Sequence, residues 1–141
     1  MTTDEMKMFL ARRKAALVTR DVDALGALYA EDAIVDSPAG GGTTRGRQVV
    51  ENVYRSWFES FPDFKFEDEQ YVIEDGQVAH VARVVGTNAG GFMGLPATGK
   101  QFHINFAFFL TVKDGLIVRE RRIYDFTGML VEIGVLKAKP Q

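Results

Sequence analysis

The stretch QFHINFAFFLTV, residues 101–112, alternates between two kinds of side chain along its whole length. One set consists of Phe102, Ile104, Phe106, Phe108, Leu110 and Val112. Because successive side chains of a β-strand point to opposite faces of a sheet, this set predicts an apolar face that packs against helices. The other set is polar but carries Phe109, which is typical of a sheet face that meets a second subunit.

Three neighbouring segments repeat the strand pattern around this stretch. Residues 64–73, 77–88 and 116–124 predict strands, connected by EDG, by the glycine-rich loop GGFMGLPATG (90–99) and by KDG. Asp-Gly pairs favour tight hairpin turns, so the four strands predict an antiparallel meander. The glycine-rich loop lacks the P-loop pattern and predicts an apolar flap over a pocket or an element of a subunit interface.

Helical spacing dominates the chain before the meander. Thr2 and Glu5 fit a capping box at the start of a first helix. A second short helix, capped by Asp21 or Asp23, is predicted to run through Leu25, Leu28 and Tyr29. The segment AIVDSP (33–38) then predicts a short strand, and AGGGTTRG (39–46) predicts a turn region.

Two more helices follow in the sequence pattern. The apolar positions of a third, amphipathic helix are Val49, Val50, Val53, Tyr54, Trp57, Phe58 and Phe61, and Pro62 ends it. A last helix over 126–133 is stopped by Gly134. Helices on one face of a curved antiparallel sheet make an α+β sandwich, and its open end is a natural pocket.

Composition excludes several classes of function. The 141 residues predict one domain over 1–141, and the formal charge of -2 gives no broad attraction to nucleic acid or to anionic membranes. No segment has the length of a membrane span, and the N-terminus lacks the pattern of a signal peptide, so a cytoplasmic protein is expected. There is no cysteine, and His80 and His103 lack a second ligand at metal spacing, so no metal is expected.

Three segments resemble one known family. They are YAEDAIVDSP (29–38), FMGLPATGKQF (92–102) and DGLIVRERRIYDFTGMLVEIG (114–134). Together with the order of elements they resemble the SnoaL-like branch of the NTF2-like superfamily, which has a cone-shaped α+β fold. The resemblance implies cofactor-independent ring closure of polyketide esters by intramolecular aldol condensation.

The resemblance also exposes departures at the positions that carry the family's chemistry. The family aspartate of the last strand aligns with Arg122, which cannot serve as the same acid or base. The cyclase histidine aligns with Phe108, and the polar residue before it aligns with Phe106. The ketosteroid isomerase base aligns with Ser37, while Asp36 lies one residue earlier, on the opposite face of a strand.

The last strand nevertheless offers candidate catalytic residues. Glu120, Arg122 and Tyr124 share one face of it, and by the resemblance that face lines the cone. Arg122 could bind a carboxylate or stabilise an enolate, with Glu120 as its partner or as a base. The alternative is a charged, solvated sheet face. Asp36 completes a possible Asp–Arg–carboxylate set of the limonene-epoxide-hydrolase type if it points inward.

Aromatic and apolar side chains are the candidates for substrate binding. The expected set is Tyr54, Trp57, Phe61, Phe106, Phe108, Tyr124 and Met93, although most such side chains in a small domain belong to the core. Asp125 either caps the last helix or acts as an acid, and capping is the preferred interpretation.

The leading hypothesis is a cofactor-independent protein that acts on a small apolar, polyketide-like carbonyl compound by cyclase, aldol or isomerase chemistry. A non-catalytic binding or interaction module and an epoxide hydrolase are the alternatives. A homodimer through the outer sheet face is expected, with no nucleic-acid or membrane partner.

Overall fold

The structure is a computed structural model, and it describes residues 1–39 and 42–137. Its helices are α1 (Thr3–Thr19), α2 (Val22–Gly26), α3 (Arg47–Ser60) and α4 (Phe126–Glu132). Its strands are β1 (Tyr29–Asp36), β2 (Thr43–Arg45), β3 (Lys65–Glu74), β4 (Gln77–Thr87), β5 (Gln101–Lys113) and β6 (Leu116–Tyr124). These elements confirm the predicted α+β class.

The six strands form one curved, unclosed sheet in the order β2-β1-β6-β5-β4-β3, with the helices on one side. The meander from β3 to β6 is antiparallel throughout, as predicted. β1 departs from the expected antiparallel sheet, because it pairs with β6 in parallel. This pairing places the end of β1 beside the middle of β6, where the candidate residues lie.

The alternation of β5 is confirmed residue by residue. Its six apolar positions from Phe102 to Val112 are all buried, whereas Phe109 on the other face is 43% exposed. Since the neighbouring strands are in register with β5, the same two faces continue across the sheet. The inner face therefore carries the core, and the outer face is open in the single chain.

Two local expectations about the N-terminal half are wrong. Tyr29 begins β1 and does not belong to α2, because the carbonyl of Leu28 accepts a hydrogen bond from the Ile117 N–H at 2.8 Å and the chain enters the sheet there. The predicted turn region contains strand β2, which pairs with the end of β1. Residues 40 and 41 of that region lie outside the described residues.

The helix ends follow the predicted capping chemistry. Thr2 and Glu5 form the capping box of α1, and Asp21 caps α2. Asp125 caps α4, since its carboxylate accepts the Gly128 N–H at 2.9 Å. Capping is therefore the role that the structure gives to Asp125. No helix in residues 1–39 and 42–137 is long and apolar enough to cross a membrane.

Candidate active site

A buried ion pair lies on the inner face of β6. Glu120 and Arg122 alternate inward as predicted, and Arg122 Nε donates to Glu120 Oε2 at 2.5 Å. Glu120 is fully buried, and Arg122 is 8% exposed. The charged strand face is therefore an interior feature of the protein, and the alternative of a solvated face is excluded for these two side chains.

Two tyrosines complete the surroundings of this pair. The Tyr29 hydroxyl donates to Glu120 Oε1 at 2.5 Å, and the Tyr54 hydroxyl lies 3.0 Å from that of Tyr29. The guanidinium carbon of Arg122 lies 4.9 Å from the centre of the Tyr54 ring, within cation–π distance. We call Tyr29, Tyr54, Glu120 and Arg122 the cavity-side cluster.

The charges of this cluster stabilise one another. Burial by itself would raise the pKa of Glu120, but the positive charges of Arg122 and Arg13 outweigh it and lower the pKa below its usual value. Burial likewise disfavours charged Arg122, yet Glu120 outweighs it and raises the pKa of Arg122. Burial raises the pKa of Tyr29 well above its usual value. Tyr29 is therefore a hydrogen-bond donor to an ionised Glu120.

A second polar chain leads from the same interior to the surface. Arg13 Nη1 lies 3.0 Å from His80 Nδ1, and His80 Nε2 lies 3.2 Å from Glu69 Oε1. Lys14 Nζ donates to Glu69 Oε2 at 2.7 Å. Burial, and then the charge of Arg13, lower the pKa of His80 to about 4. Neutral His80 thus accepts from Arg13 and donates to Glu69. We call Lys14, Glu69, His80 and Arg13 the solvent-side cluster.

The cavity that gives the first cluster its name has a volume of about 130 Å³. Its wall is mainly apolar, with contributions from Val35, Val53, Trp57 and Phe92. Arg122 is the one charged side chain among the described residues that line it. Arg122 Nη2 is buried and has no hydrogen-bond partner among the described residues, so the guanidinium beside the cavity has an unused donor.

The glycine-rich loop covers this cavity. Phe92 is buried against Trp57, with ring centres 5.5 Å apart, and Met93 beside it lines the cavity while remaining 54% exposed. Met93 and Gly94 both have positive φ, and Phe92 and Leu95 exchange backbone hydrogen bonds across them. The tip is thus a tight turn over the cavity, which favours the flap over the interface element.

The base of this loop is held by Asn88. Its backbone carbonyl accepts from the N–H groups of Thr98 and Gly99, and its side chain donates to the Pro96 carbonyl and to Thr98 Oγ1. Thr98 in turn donates to the carbonyl of Ile133. These bonds satisfy buried polar groups, so the base of the loop should keep its shape when the tip moves.

The predicted substrate-binding residues divide into two groups. Trp57 and Met93 line the cavity, and the Tyr54 ring lies behind the Arg122 guanidinium. Phe61, Phe106 and Phe108 do not line it: Phe61 packs on Trp57 and Phe102, Phe106 stacks on Phe108, and all three are core residues. Their contact with substrate stays a prediction, and these three side chains are not part of the wall of this cavity.

Tyr124 and Asp36 have different outcomes. Tyr124 stacks on Phe106, and its buried hydroxyl has no hydrogen-bond partner among the described residues. Burial raises the pKa of Tyr124, and the nearby Ser37 opposes this only weakly, so the hydroxyl stays protonated. Asp36 points to the outer face, where it accepts from Arg119 at 2.7 Å and from Thr43. Asp36 therefore does not join Glu120 and Arg122, and the epoxide-hydrolase set is not assembled.

The sequence analysis missed four members of the two clusters as functional candidates: Tyr29, Arg13, Lys14 and Glu69. Arg13 could have been found from the sequence, because it lies between Leu10 and Leu17 on the apolar stripe of α1. A charged side chain at such a position is predicted to be buried and to need polar partners inside the protein. Tyr29 had none, since its pattern was attributed to α2. No group of three His, Asp or Glu side chains within the described chain is placed to hold a metal ion.

The sequence matches the model of one protein family, described as SnoaL-like polyketide cyclase, over residues 8–133. No curated protein matches this sequence.

Solved structures share the fold over nearly the whole chain. IdmH from Streptomyces antibioticus, a proposed polyketide cyclase, is 30% identical with a TM-score of 0.75, covering 91% of this chain and 97% of its own. AclR from Streptomyces galilaeus, a proposed hydroxylase, is 23% identical with a TM-score of 0.81, covering 99% and 87%. A proposed SnoaL-like polyketide cyclase from Jannaschia sp. CCS1 is 19% identical with a TM-score of 0.82, covering 97% and 94%.

Proposed function

This chain belongs to the SnoaL-like polyketide cyclase family, and from its site we propose that it binds a small apolar, polyketide-like carbonyl compound and promotes cyclase, aldol or isomerase chemistry without a cofactor. The observation that carries the proposal is that Arg122 lines an apolar cavity and that its buried Nη2 has no partner among the described residues. The names of similar structures, which include proposed polyketide cyclases, support the same substrate class.

Arg122 has the properties of an oxyanion donor. A fixed donor aimed at the oxygen on which charge develops is worth much more in a dry, apolar site than in water. Glu120 and the Tyr54 ring hold the guanidinium in place, so it needs little reorganisation when a carbonyl becomes an enolate. In this role Arg122 stands where the family has an acid–base residue, but it stabilises the negative charge of the enolate and transfers no proton.

Glu120 is better suited to orient Arg122 than to act as the base. Both of its carboxylate oxygens are already bonded, one to Tyr29 and the other to Arg122, and it does not line the cavity. In the proposed reaction the C–H proton next to the carbonyl therefore leaves to water at the cavity mouth. In the aldol reaction the enolate carbon then attacks a second carbonyl, and the resulting alkoxide takes a proton back from water. In the isomerisation the enolate instead takes the proton back from water at a different carbon.

Enolisation can be measured on a simple probe ketone, so the natural substrate need not be known. Phenylacetone, a single-ring ketone, is incubated with the protein in D₂O, and loss of its α-protons is followed by NMR. We expect the protein to accelerate exchange, and we expect Arg122→Lys to reduce the acceleration about 10²-fold, as for removal of one oxyanion donor. Arg121→Lys is the matched control, since Arg121 is the exposed neighbour on the outer face.

A non-catalytic binding module is the second candidate function. The observation that favours it is that no carboxylate or neutral histidine among the described residues lines the cavity. Binding of phenylacetone without any acceleration of exchange would select this candidate. If phenylacetone neither binds nor exchanges its protons faster, both candidate functions are contradicted.

The outer sheet face is proposed to form a homodimer. Val72, Val81, Phe109 and Ile123 are each at least 41% exposed there, on four adjacent strands in register. An apolar patch of this kind is typical of a subunit interface. Light scattering after size exclusion should give twice the 15.7 kDa of the chain, and Phe109→Lys should give the monomer. A wild-type monomer at micromolar concentration would contradict the proposal.

A further inference from the structure

The buried charges of the described chain do not balance. The charged side chains below 9% exposure are Arg13, Arg122 and Glu120, which are two cations and one anion. Neutral His80 links Arg13 to Glu69, but Glu69 is already paired with Lys14 at 2.7 Å. The interior therefore carries an excess positive charge. An uncompensated buried charge is costly, and the cost is removed when an anion binds.

Most of the buried side-chain atoms without a partner in the described chain are donors: they include guanidinium nitrogens of Arg13, Arg20 and Arg122, whereas Asn88 Oδ1 is an acceptor and the Tyr124 hydroxyl can be either. Arg122 Nη2, Arg13 Nε and Arg13 Nη2 are all buried guanidinium nitrogens with no partner in residues 1–39 and 42–137. All three are donors that lack an acceptor. Buried donors in native proteins are normally satisfied by protein, water or ligand. A ligand that brings acceptor oxygens to Arg122 would complete the cluster at the cavity.

The cavity limits the size and the shape of that ligand. Its volume of about 130 Å³ is close to that of the engineered ~150 Å³ cavity that binds benzene in another protein. The wall is apolar apart from Arg122 and a few hydroxyl-bearing side chains such as Ser37. A fitting ligand therefore has an apolar body the size of one ring and a single charged end. Larger ligands require the Met93 tip of the covering loop to move.

From these observations we infer that the cavity beside Arg122 selects a small apolar oxyanion: a carboxylate, or the enolate of a 1,3-dicarbonyl compound, on a body of about one ring. The inference rests on the proposed function, because it names the charge of the compound that the same cavity binds. The oxyanion accepts from Arg122 Nη2, and its charge offsets the excess positive charge shared with Arg13. A neutral ligand of the same shape would satisfy the Arg122 donor but would leave the excess positive charge of the interior uncompensated.

The test compares three probes of one size on the wild-type protein. Benzoate, benzamide and phenylacetone are titrated by calorimetry at pH 7 and low salt. We expect benzoate to bind at least tenfold more tightly than benzamide and phenylacetone, and we expect this preference to shrink as salt is added. In the double variant Arg122→Gln/Glu120→Gln, which removes both partners of the ion pair together, the preference should fall to within about threefold.

The outcomes separate the inference from the proposed function. If benzamide or phenylacetone binds as tightly as benzoate, the inference is overturned while the proposed function stands. If none of the three binds, both are overturned. If the double variant does not fold, Arg122→Lys replaces it, and a preference for benzoate that is unchanged in that variant would contradict a role for the guanidinium. Arg121→Lys should keep the wild-type preference.

Discussion

The two polar clusters of the interior are built from the same kinds of residue but end differently. The solvent-side cluster runs from Arg13 through His80 and Glu69 to Lys14, which is 55% exposed at its side chain. The cavity-side cluster ends at Arg122, which lines an apolar cavity and whose Nη2 has no partner among the described residues. One chain of bonds thus ends in water and the other at a cavity. The difference shows that the same kinds of polar residue can connect the interior either to solvent or to a cavity.

Loss of Glu120 should reduce stability most, because Glu120 is the one fully buried anion among the described residues, and its charge acts on both Arg13 and Arg122. Glu120→Gln leaves Arg122 without its counter-charge, and removing one partner of a buried pair costs about 3 to 5 kcal/mol. Urea denaturation should show this decrease in the free energy of unfolding. Glu67→Gln, at an exposed position of β3, is the control and should stay within about 0.5 kcal/mol of wild type. Equal stability of the two variants would contradict a structural role for Glu120.

His80 should make the contribution of the solvent-side cluster to stability depend on pH between about 6.5 and 4. Its pKa is about 4 in the folded protein against 6.5 in the unfolded chain, so the unfolded chain binds a proton that the folded protein does not. Stability is therefore complete above pH 6.5 and falls as the pH is lowered towards 4, by at most about 3 kcal/mol.

His80→Gln can keep the bonds to Arg13 and Glu69 without titrating, so it should lose less stability between pH 6.5 and 4 than the wild type. Melting temperatures at matched pH values measure this difference. Glu69, whose pKa is lowered although burial opposes it, keeps its own acid dependence in both proteins. Identical pH profiles for the two proteins would contradict a neutral, buried His80.

Replacement of Arg13 should change stability more than it changes proton exchange of a neutral ketone. Arg13→Met leaves His80 Nδ1 without its donor, which costs about 1 to 3 kcal/mol, while removal of the excess charge offsets part of that cost. The exchange of phenylacetone protons should remain within about threefold of wild type, since Arg13 does not line the cavity. A loss of exchange as large as that of Arg122→Lys would contradict the division into two clusters.

Lys14 should have the smallest effect, at the solvent end of its cluster. Its ion pair with Glu69 is exposed, and such pairs contribute about 0 to 1 kcal/mol. Lys14→Met should therefore change the melting temperature by no more than a few degrees and leave proton exchange unaltered. A loss of more than about 2 kcal/mol would indicate that the charge of Lys14 is transmitted to the interior.

The sequence predicted the fold well because most of it depends on local periodicity. The alternation of β5, the Asp-Gly hairpins and the caps of α1 and α2 all appear as expected, and each depends on residues a few positions apart. The position of Tyr29 was missed because β1 is fixed by parallel pairing with β6, some ninety residues later. Such a long-range pairing leaves no periodic signal at Tyr29.

The site was predictable only in part, for the same reason. Strand parity placed Glu120 and Arg122 inward and Asp36 outward, and the structure agrees on all three. Strand parity could not indicate that Tyr29 and Arg13 approach Glu120, since Tyr29 lies on β1, Arg13 on α1 and Glu120 on β6. Nor could it distinguish cavity-lining rings from core rings: Trp57 and Phe61 share one face of α3, and only Trp57 lines the cavity.

The most direct test of the central claim is a crystal structure of the protein with benzoate bound. We expect a carboxylate oxygen about 2.7 to 3.1 Å from Arg122 Nη2, with the ring in the cavity beside Trp57 and Val35 and the Glu120–Arg122 pair intact. Benzoate at another surface, or an Arg122 whose Nη2 is bonded to a protein group while the cavity excludes the ligand, would contradict it.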